Sequence, residues 1–347
     1  MRKSLPIFLC VLHCLILSCS CAQGQVPVVG ILSEPFTTLE NTTEFMIAAS
    51  YVKWLEASGA RSIPIPYDAT QGQVDDIFAQ IDGVLFPGGS GRFLPPAANH
   101  IWRLAQAENS KDGGFFPIWG TCMGFEYLLM LASGKDDILE GGFDAENISL
   151  PLQLLRHQSS TNNSSLLYRG MERLVQTNNI TLNNHHFGIT PHRFRRNTEL
   201  TSMFDITSTN QDRQGRHFVS TIEPKDPNSN PYYGVQYHPE KNAFEYATYP
   251  GTDISYEAID HSPEGLLLTT HLGRFFVNLT RVVVIVVVVN NAAAAQLRHR
   301  PTATSYHPHP VYTYPRRVGV KFQEYYLIPS AADMFSEKQV AYNSLVR

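Results

Sequence analysis

Downstream of residue 26, short unbroken apolar runs alternate with stretches in which apolar side chains recur at helical spacing. Residues 26–32 form an apolar run of strand length. Residues 44–58 place Phe45, Ala48, Ala49, Val52 and Leu55 three and four apart, with Thr43 as N-cap and Gly59 as stop. That spacing predicts a helix. The same reading predicts strands at 62–65, 81–86 and 115–119, and helices at 74–80, 97–108 and 123–132. Strands that are apolar throughout, separated by helical patterns, argue for a parallel sheet covered on both faces. The fold class predicted is α/β.

The second half is less regular. Residues 178–182, 203–208, 217–222 and 233–237 are candidate strands among polar loops, and 266–278 a closing helix that completes the domain near residue 280. Eight β-branched residues follow at 282–289, then Asn290-Asn291 and four alanines. Eight residues are too few to span a bilayer as a helix, and exposed they would be an aggregation hazard. The pattern offers no period from there on, so 281–347 reads as an irregular tail.

Composition changes this picture mainly at the N-terminus. The chain has 347 residues, 43% apolar and 17% charged, with formal charge −4. A slightly acidic total gives no electrostatic reason to expect a nucleic-acid partner, and no apolar run reaches the ~18 residues of a membrane span. Arg2 and Lys3, an apolar run at 5–17, and Ser20-Cys21-Ala22 have the form of a secretory signal cleaved after Ala22. The domain is then 23–280. Cys10, Cys14, Cys19 and Cys21 would leave with the signal, so Cys122 remains alone and a disulfide-stapled fold is excluded. Sequons at Asn41, Asn147, Asn162, Asn163, Asn179 and Asn278 agree with export and glycosylation.

Three motifs carry chemistry. At 116–126 an apolar strand runs into Gly120-Thr121-Cys122-Met123-Gly124 and then into a helical pattern. This is the thiol counterpart of the G-x-S-x-G nucleophile elbow. The crowded turn needs glycine on both sides, and the helix N-terminus is expected to lower the Cys122 pKa. The second motif, His238-Pro239-Glu240, ends a short apolar run. Two apart in extended backbone, His238 and Glu240 project to one side. His238 would take the thiol proton and later protonate the leaving amine, with Glu240 orienting the imidazole. The third, Pro87-Gly88-Gly89, ends a strand and lacks the Lys of a phosphate loop. Backbone N–H groups there, Gly89 in particular, together with that of Met123, would form an oxyanion hole. Each motif alone also fits an inert turn. Their combination around a single cysteine favours catalysis. His185-His186 suggests a metal, but adjacent strand side chains face opposite ways and no third ligand has zinc spacing, so no metal is expected.

Gly120-Thr121-Cys122-Met123-Gly124-Phe125-Glu126, the Pro-Gly-Gly loop and Gln236-Tyr237-His238-Pro239-Glu240-Lys241 resemble the class I glutamine amidotransferase-like superfamily, and within it the γ-glutamyl hydrolase family. Val29-Gly30-Ile31-Leu32, residues 47–53 and Ile118-Trp119 extend the resemblance over residues 27–278. It implies a doubly wound, mostly parallel central sheet flanked by helices, and a Cys122–His238–Glu240 triad working through a γ-glutamyl thioester without a cofactor. It also implies folate poly-γ-glutamates as substrate, a homodimer, and residence in the extracellular space or lysosome. Amidotransferase domains usually carry Gln four residues after the nucleophile. Glu126 stands there, which favours water over channelled ammonia and suits pairing with a substrate α-ammonium. His185 matches a substrate-contacting histidine by position. Two departures are visible: Tyr237 replaces the commoner Trp, and Phe45-Met46 stands where the hydrolases often have two tyrosines. The rival expectations are an amidotransferase partnered to a synthase, a hydrolase of other γ-glutamyl amides, and a secreted, non-catalytic binding glycoprotein.

Overall fold

The computed structural model describes residues 26–37, 43–90, 93–155, 165–281, 310–311, 314, 316–317 and 324–335, with the backbone alone of 282–290. The signal segment 1–22 and the sequons at Asn41, Asn162 and Asn163 lie outside the described residues. In chain order the first half comprises β1 (Val28–Leu32), β2 (Glu34–Thr37), β3 (Thr43–Ala48), α1 (Ala49–Ala57), β4 (Arg61–Ile65), α2 (Gln71–Phe78), β5 (Gly83–Phe86), α3 (Pro96–Asn109), β6 (Ile118–Thr121) and α4 (Met123–Ser133). The second half supplies β7 (Ala145–Leu150), β8 (Gln153–Leu154), α5 (Glu172–Thr177), β9 (Thr181–His185), α6 (Pro191–Arg195), α7 (Thr198–Met203), β10 (Phe204–Gln211), β11 (His217–Pro224), β12 (Tyr232–Val235), α8 (Lys241–Phe244) and α9 (Pro263–Asn290).

The apolar runs pair into an eight-stranded sheet of order β4-β1-β5-β6-β12-β11-β10-β8. Its first five strands are mutually parallel, and β11, β10 and β8 add an antiparallel edge. Alternation along the strands shows how both faces are covered. In β6, Trp119 packs on Trp54 of α1 and Phe276 of α9, with ring centroids 5.4 and 5.8 Å away. Its neighbour Gly120 faces the other way, against the Gly124 carbonyl of α4. In β12, Tyr233 meets Phe275 of α9 at 5.0 Å while Tyr232 meets Trp102 of α3 at 4.6 Å. So α1 and α9 cover one face, and α3 and α4 the other. Fully buried side chains such as Phe276 each stabilise this core by roughly 2–3 kcal/mol. The sheet is the doubly wound, mostly parallel one that the resemblance implies.

Two expectations change. The helix predicted over 44–58 begins only at Ala49; residues 43–48 are β3. This strand is hydrogen-bonded on both sides, to β2 and to a strand from the C-terminal region, and Phe45 stacks on Tyr67 at 6.1 Å. Non-local pairing overrides a local helical period there. The second change concerns the tail, expected to be irregular from 281. The backbone of α9 runs on through the valines to Asn290, and beyond it lie β13 (Arg316–Arg317), β14 (Tyr325–Ile328) and α10 (Ala331–Met334). Pairing of Tyr325 to Ala48 and Ile328 to Phe45 sets β14 against β3. Glu324 caps α1, its carbonyl accepting from Ala49 N–H at 2.9 Å while its carboxylate meets Lys53 Nζ at 2.7 Å. Val311 and Met334 are buried. Among the described residues no helix is long and apolar enough to cross a membrane.

Candidate active site

Three loops leave the C-terminal ends of the adjacent parallel strands β5, β6 and β12, the edge at which open α/β sheets bind ligands. They carry Pro87-Gly88-Gly89, Cys122 and His238. Register brings them together: Phe86 pairs with Gly120, Thr121 pairs with Val235, and Cys122 N–H donates to the Val235 carbonyl at 2.8 Å.

Cys122 is the hinge between β6 and α4. Its φ of 51° and ψ of −107° are strained for a residue with a side chain. The flanking glycines make that turn feasible. A Cβ on Gly124 would lie 1.9 Å from the Phe86 carbonyl oxygen, and one on Gly120 would lie 2.4 Å from the Gly124 carbonyl oxygen. The expected fall in the thiol pKa does not occur. Burial and then the Glu126 charge push Cys122 well above the ordinary thiol range, against smaller opposing contributions from Lys241 and the Met123 N–H. The helix terminus loses because desolvation of a buried thiolate is the larger effect. Burial thus favours the thiol over the thiolate.

His238 Nδ1–H donates to Glu240 Oε1 at 2.8 Å, and both side chains are buried, Glu240 completely. The pair is held by a turn rather than by the expected extended strand. β12 stops at Val235, Glu240 has helical φ and ψ, and Lys241 N–H reaches the His238 carbonyl at 3.4 Å. Thr269 Oγ1 of α9 donates to the Pro239 carbonyl at 2.7 Å and pins that turn. A Cβ on Gly88 would sit 2.6 Å from His238 Cε1 and 3.2 Å from Cys122 Cβ, so imidazole and thiol approach each other across a residue that must be glycine. The Tyr51 hydroxyl accepts from Gly88 N–H at 2.7 Å and lies 3.3 Å from His238 Nδ1.

A cleft of about 760 Å³ opens over the thiol, bordered by Gly89, Cys122, Met123, Glu126 and His185. Burial raises the Glu126 carboxyl to about 7, although Gln236 Nε2–H donates to Oε1 at 3.1 Å and acts the other way. His185 is pushed down to about 4, chiefly by burial. It is therefore neutral, and since Nδ1 lies 2.7 Å from the Phe187 carbonyl, its proton is on Nδ1. Nε2 is left as a buried acceptor with no partner among the described residues. Lys241 Nζ meets both Glu257 oxygens at 2.7 and 2.6 Å, and Asn184 Nδ2 donates to Glu257 Oε1 at 2.8 Å. That network ties the residue before His185 to the His-Pro-Glu-Lys turn. Behind Gly89, Glu34 is buried with neither carboxyl oxygen partnered among the described residues, and burial raises its pKa well above the ordinary range.

The structure thus gathers Cys122, His238, Glu240, Gly89, Met123, Glu126 and His185 at one edge of the sheet. Phe45 and Met46 go to β3 and do not border the cleft. Glu257 and Glu34 join the site without any sequence motif to signal them, and Tyr51 had only its place in the stretch 47–53. Gln236 and Lys241 had only their place in the Gln-Tyr-His-Pro-Glu-Lys stretch. The sequon asparagines Asn147, Asn179 and Asn278 are exposed. Among the described residues no three His, Cys, Asp or Glu side chains are grouped to hold a metal, and His186 pairs instead with Glu146 at 2.9 Å.

Comparison with known proteins adds relatives to this geometry. Residues 44–251 match the family Glutamine amidotransferase class-I. The chain is 36% identical to gamma-glutamyl hydrolase B of Dictyostelium discoideum over 265 residues, 74% of this chain and 73% of that one. It is 32% identical to gamma-glutamyl hydrolase of Homo sapiens over 74% of this chain and 79% of that one, and 34% identical to gamma-glutamyl hydrolase 1 of Arabidopsis thaliana over 74% and 72%. With the cysteine elbow and His-Pro-Glu turn at the sheet edge, matches covering 74% of the chain place it in the γ-glutamyl hydrolase family of class I glutamine amidotransferases.

Proposed function

We propose that this protein hydrolyses γ-glutamyl bonds of folate poly-γ-glutamates through a Cys122–His238–Glu240 triad. The observation that carries the reading is the buried His238–Glu240 pair facing the strained Cys122 elbow across Gly88. Because burial favours the protonated sulfur, His238 takes the thiol proton as sulfur attacks the γ-carbonyl carbon. The oxyanion is received by the backbone N–H groups of Gly89 and Met123. Collapse transfers the proton from His238 to the departing amine and leaves a γ-glutamyl thioester. Water, deprotonated by His238, then attacks the thioester and releases the carboxylate and the thiol. Glu240 holds the imidazole in orientation and stabilises its charged form. The apolar N-terminal run and the exposed sequon asparagines support export to the extracellular space or lysosome.

The test is chromatography of a folate pentaglutamate incubated with the purified protein from acid to neutral pH. Shortened folates are expected. Pentaglutamate left intact at every pH would overturn the folate reading.

Glu126 separates this substrate from the other γ-glutamyl amides. In a poly-γ-glutamyl chain the donor's α-nitrogen is acylated, so the group meeting Glu126 is an amide N–H rather than an ammonium. A free γ-glutamyl amide would offer the ammonium. Glu126 titrates near 7, so its ionised form, which an ammonium needs, is lost as pH falls. The ratio of kcat/KM for a free-amine γ-glutamyl amide over an N-acylated one should therefore drop about tenfold per pH unit below 7 and level off above it. Glu126→Gln should flatten the ratio. A flat ratio in the wild type would remove Glu126 from the donor's α-nitrogen.

A further inference from the structure

Tyr51 belongs to none of the catalytic motifs, yet its hydroxyl sits where the three loops meet. It comes from the first turn of α1 and is 1% exposed. A phenol has one proton to donate and lone pairs to accept with. One lone pair is taken by Gly88 N–H at 2.7 Å. His238 Nδ1, 3.3 Å away, spends its own proton on Glu240 Oε1. The phenolic proton is left facing the His238–Glu240 pair, where Glu240 Oε2 is buried and has no hydrogen-bond partner among the described residues. Burial, and after it the charge of Glu240, hold Tyr51 well above the usual phenol range, so it remains a neutral donor at working pH.

Two consequences follow for the chemistry. The Gly88 N–H is occupied by Tyr51, which leaves Gly89, one residue on and bordering the cleft, as the donor of that loop. The hydroxyl also lies against the Nδ1 edge of the imidazole, opposing rotation of the ring away from Glu240 Oε1. We infer that Tyr51 is a positioning residue that ties the Pro87-Gly88-Gly89 loop to the His238–Glu240 pair, setting the oxyanion donor and the base in one geometry relative to Cys122. This rests on the reading of Cys122 as the nucleophile of a hydrolase.

Tyr51→Phe in the full chain keeps the ring and removes the hydroxyl. Turnover of the pentaglutamate should fall about 10- to 100-fold in kcat, the scale of a small misplacement of catalytic groups, with KM within about twofold. Alkylation of Cys122 by iodoacetamide at pH 7, read on the Cys122 peptide by mass spectrometry, should slow by a similar factor. That second readout needs no substrate. Tyr232→Phe is the control: it loses an equally buried hydroxyl, bonded to Asn109 Nδ2 at 2.9 Å at the opposite end of β12, and should keep both rates. Tyr51→Phe retaining both rates would overturn the inference, as would Tyr232→Phe losing both to the same extent. Wild-type protein without turnover would sink the hydrolase reading, and the alkylation rates would still decide the part played by Tyr51.

Discussion

Cys122→Ala is expected to abolish hydrolysis of the pentaglutamate while leaving its binding within a few-fold of the wild type. Removing a nucleophile that acts as one unit with its base costs on the order of 10⁵-fold or more in turnover, about 7 kcal/mol of barrier. Binding should survive because the groups that line the cleft, Met123, Glu126 and His185 among them, do not depend on the sulfur for their positions. Gln236 Nε2, 4.0 Å from Sγ, still holds Glu126, and His185 still bonds the Phe187 carbonyl. Alanine inherits the same strained φ and ψ, so the elbow itself is not relieved. Glu240→Gln should cost less than Cys122→Ala, because it removes orientation and charge but leaves the thiol and the imidazole. The measurements are steady-state rates beside calorimetric binding of the intact pentaglutamate. Residual turnover by the alanine variant above a percent of wild type would mean another nucleophile, and equal losses in the two variants would undo the separate roles.

Gly124→Ala should inactivate the protein through its backbone alone. The added methyl would lie 1.9 Å from the Phe86 carbonyl oxygen and 2.5 Å from the Phe86 carbonyl carbon. Neither can rotate away as a side-chain end could, since Phe86 is the last residue of β5, paired to β6. The first turn of α4 must therefore lift off the sheet, carrying the Met123 N–H and the Cys122 hinge with it. Overpacking in a core costs about 1–3 kcal/mol, and a clash of backbone with backbone should exceed that. A displacement near 1 Å at the reacting groups costs a further ~10²-fold in rate. Thermal melting and kcat should both fall sharply. Gly72→Ala makes the contrast: in the exposed first turn of α2 nothing lies within 4 Å of the new methyl, so melting should hold or rise slightly. A Gly124→Ala protein with wild-type melting and rate would show that the elbow does not need its second glycine.

The sequence by itself determined the elements whose signals are local. Apolar runs and helical spacing locate the parallel strands and their helices, because burial on both faces leaves a continuous apolar stretch that neighbouring residues alone reveal. Gly120, Cys122 and Gly124 are legible for the same reason, since the turn that needs them is made of consecutive residues. His238 and Glu240 are near neighbours in the chain, so their pairing could be foreseen, although a turn rather than an extended strand achieves it. Tertiary structure decided the rest. Whether residues 43–48 are helix or strand depends on partners at 34–37 and 325–328, and no local period carries that information. The approach of Cys122 to His238 comes from the register of β6 with β12, and the need for glycine at 88 from their closeness. The ionisation states at the site follow from burial, which a composition does not contain: a thiol favoured despite its helix terminus, a Glu126 poised near 7, a His185 held neutral with its proton on Nδ1. Tyr51 illustrates the limit most plainly. Its place in the site exists only because α1 packs against the sheet edge where three separate loops converge, and a hydroxyl in the middle of a helical pattern gives no sign of that from the chain alone.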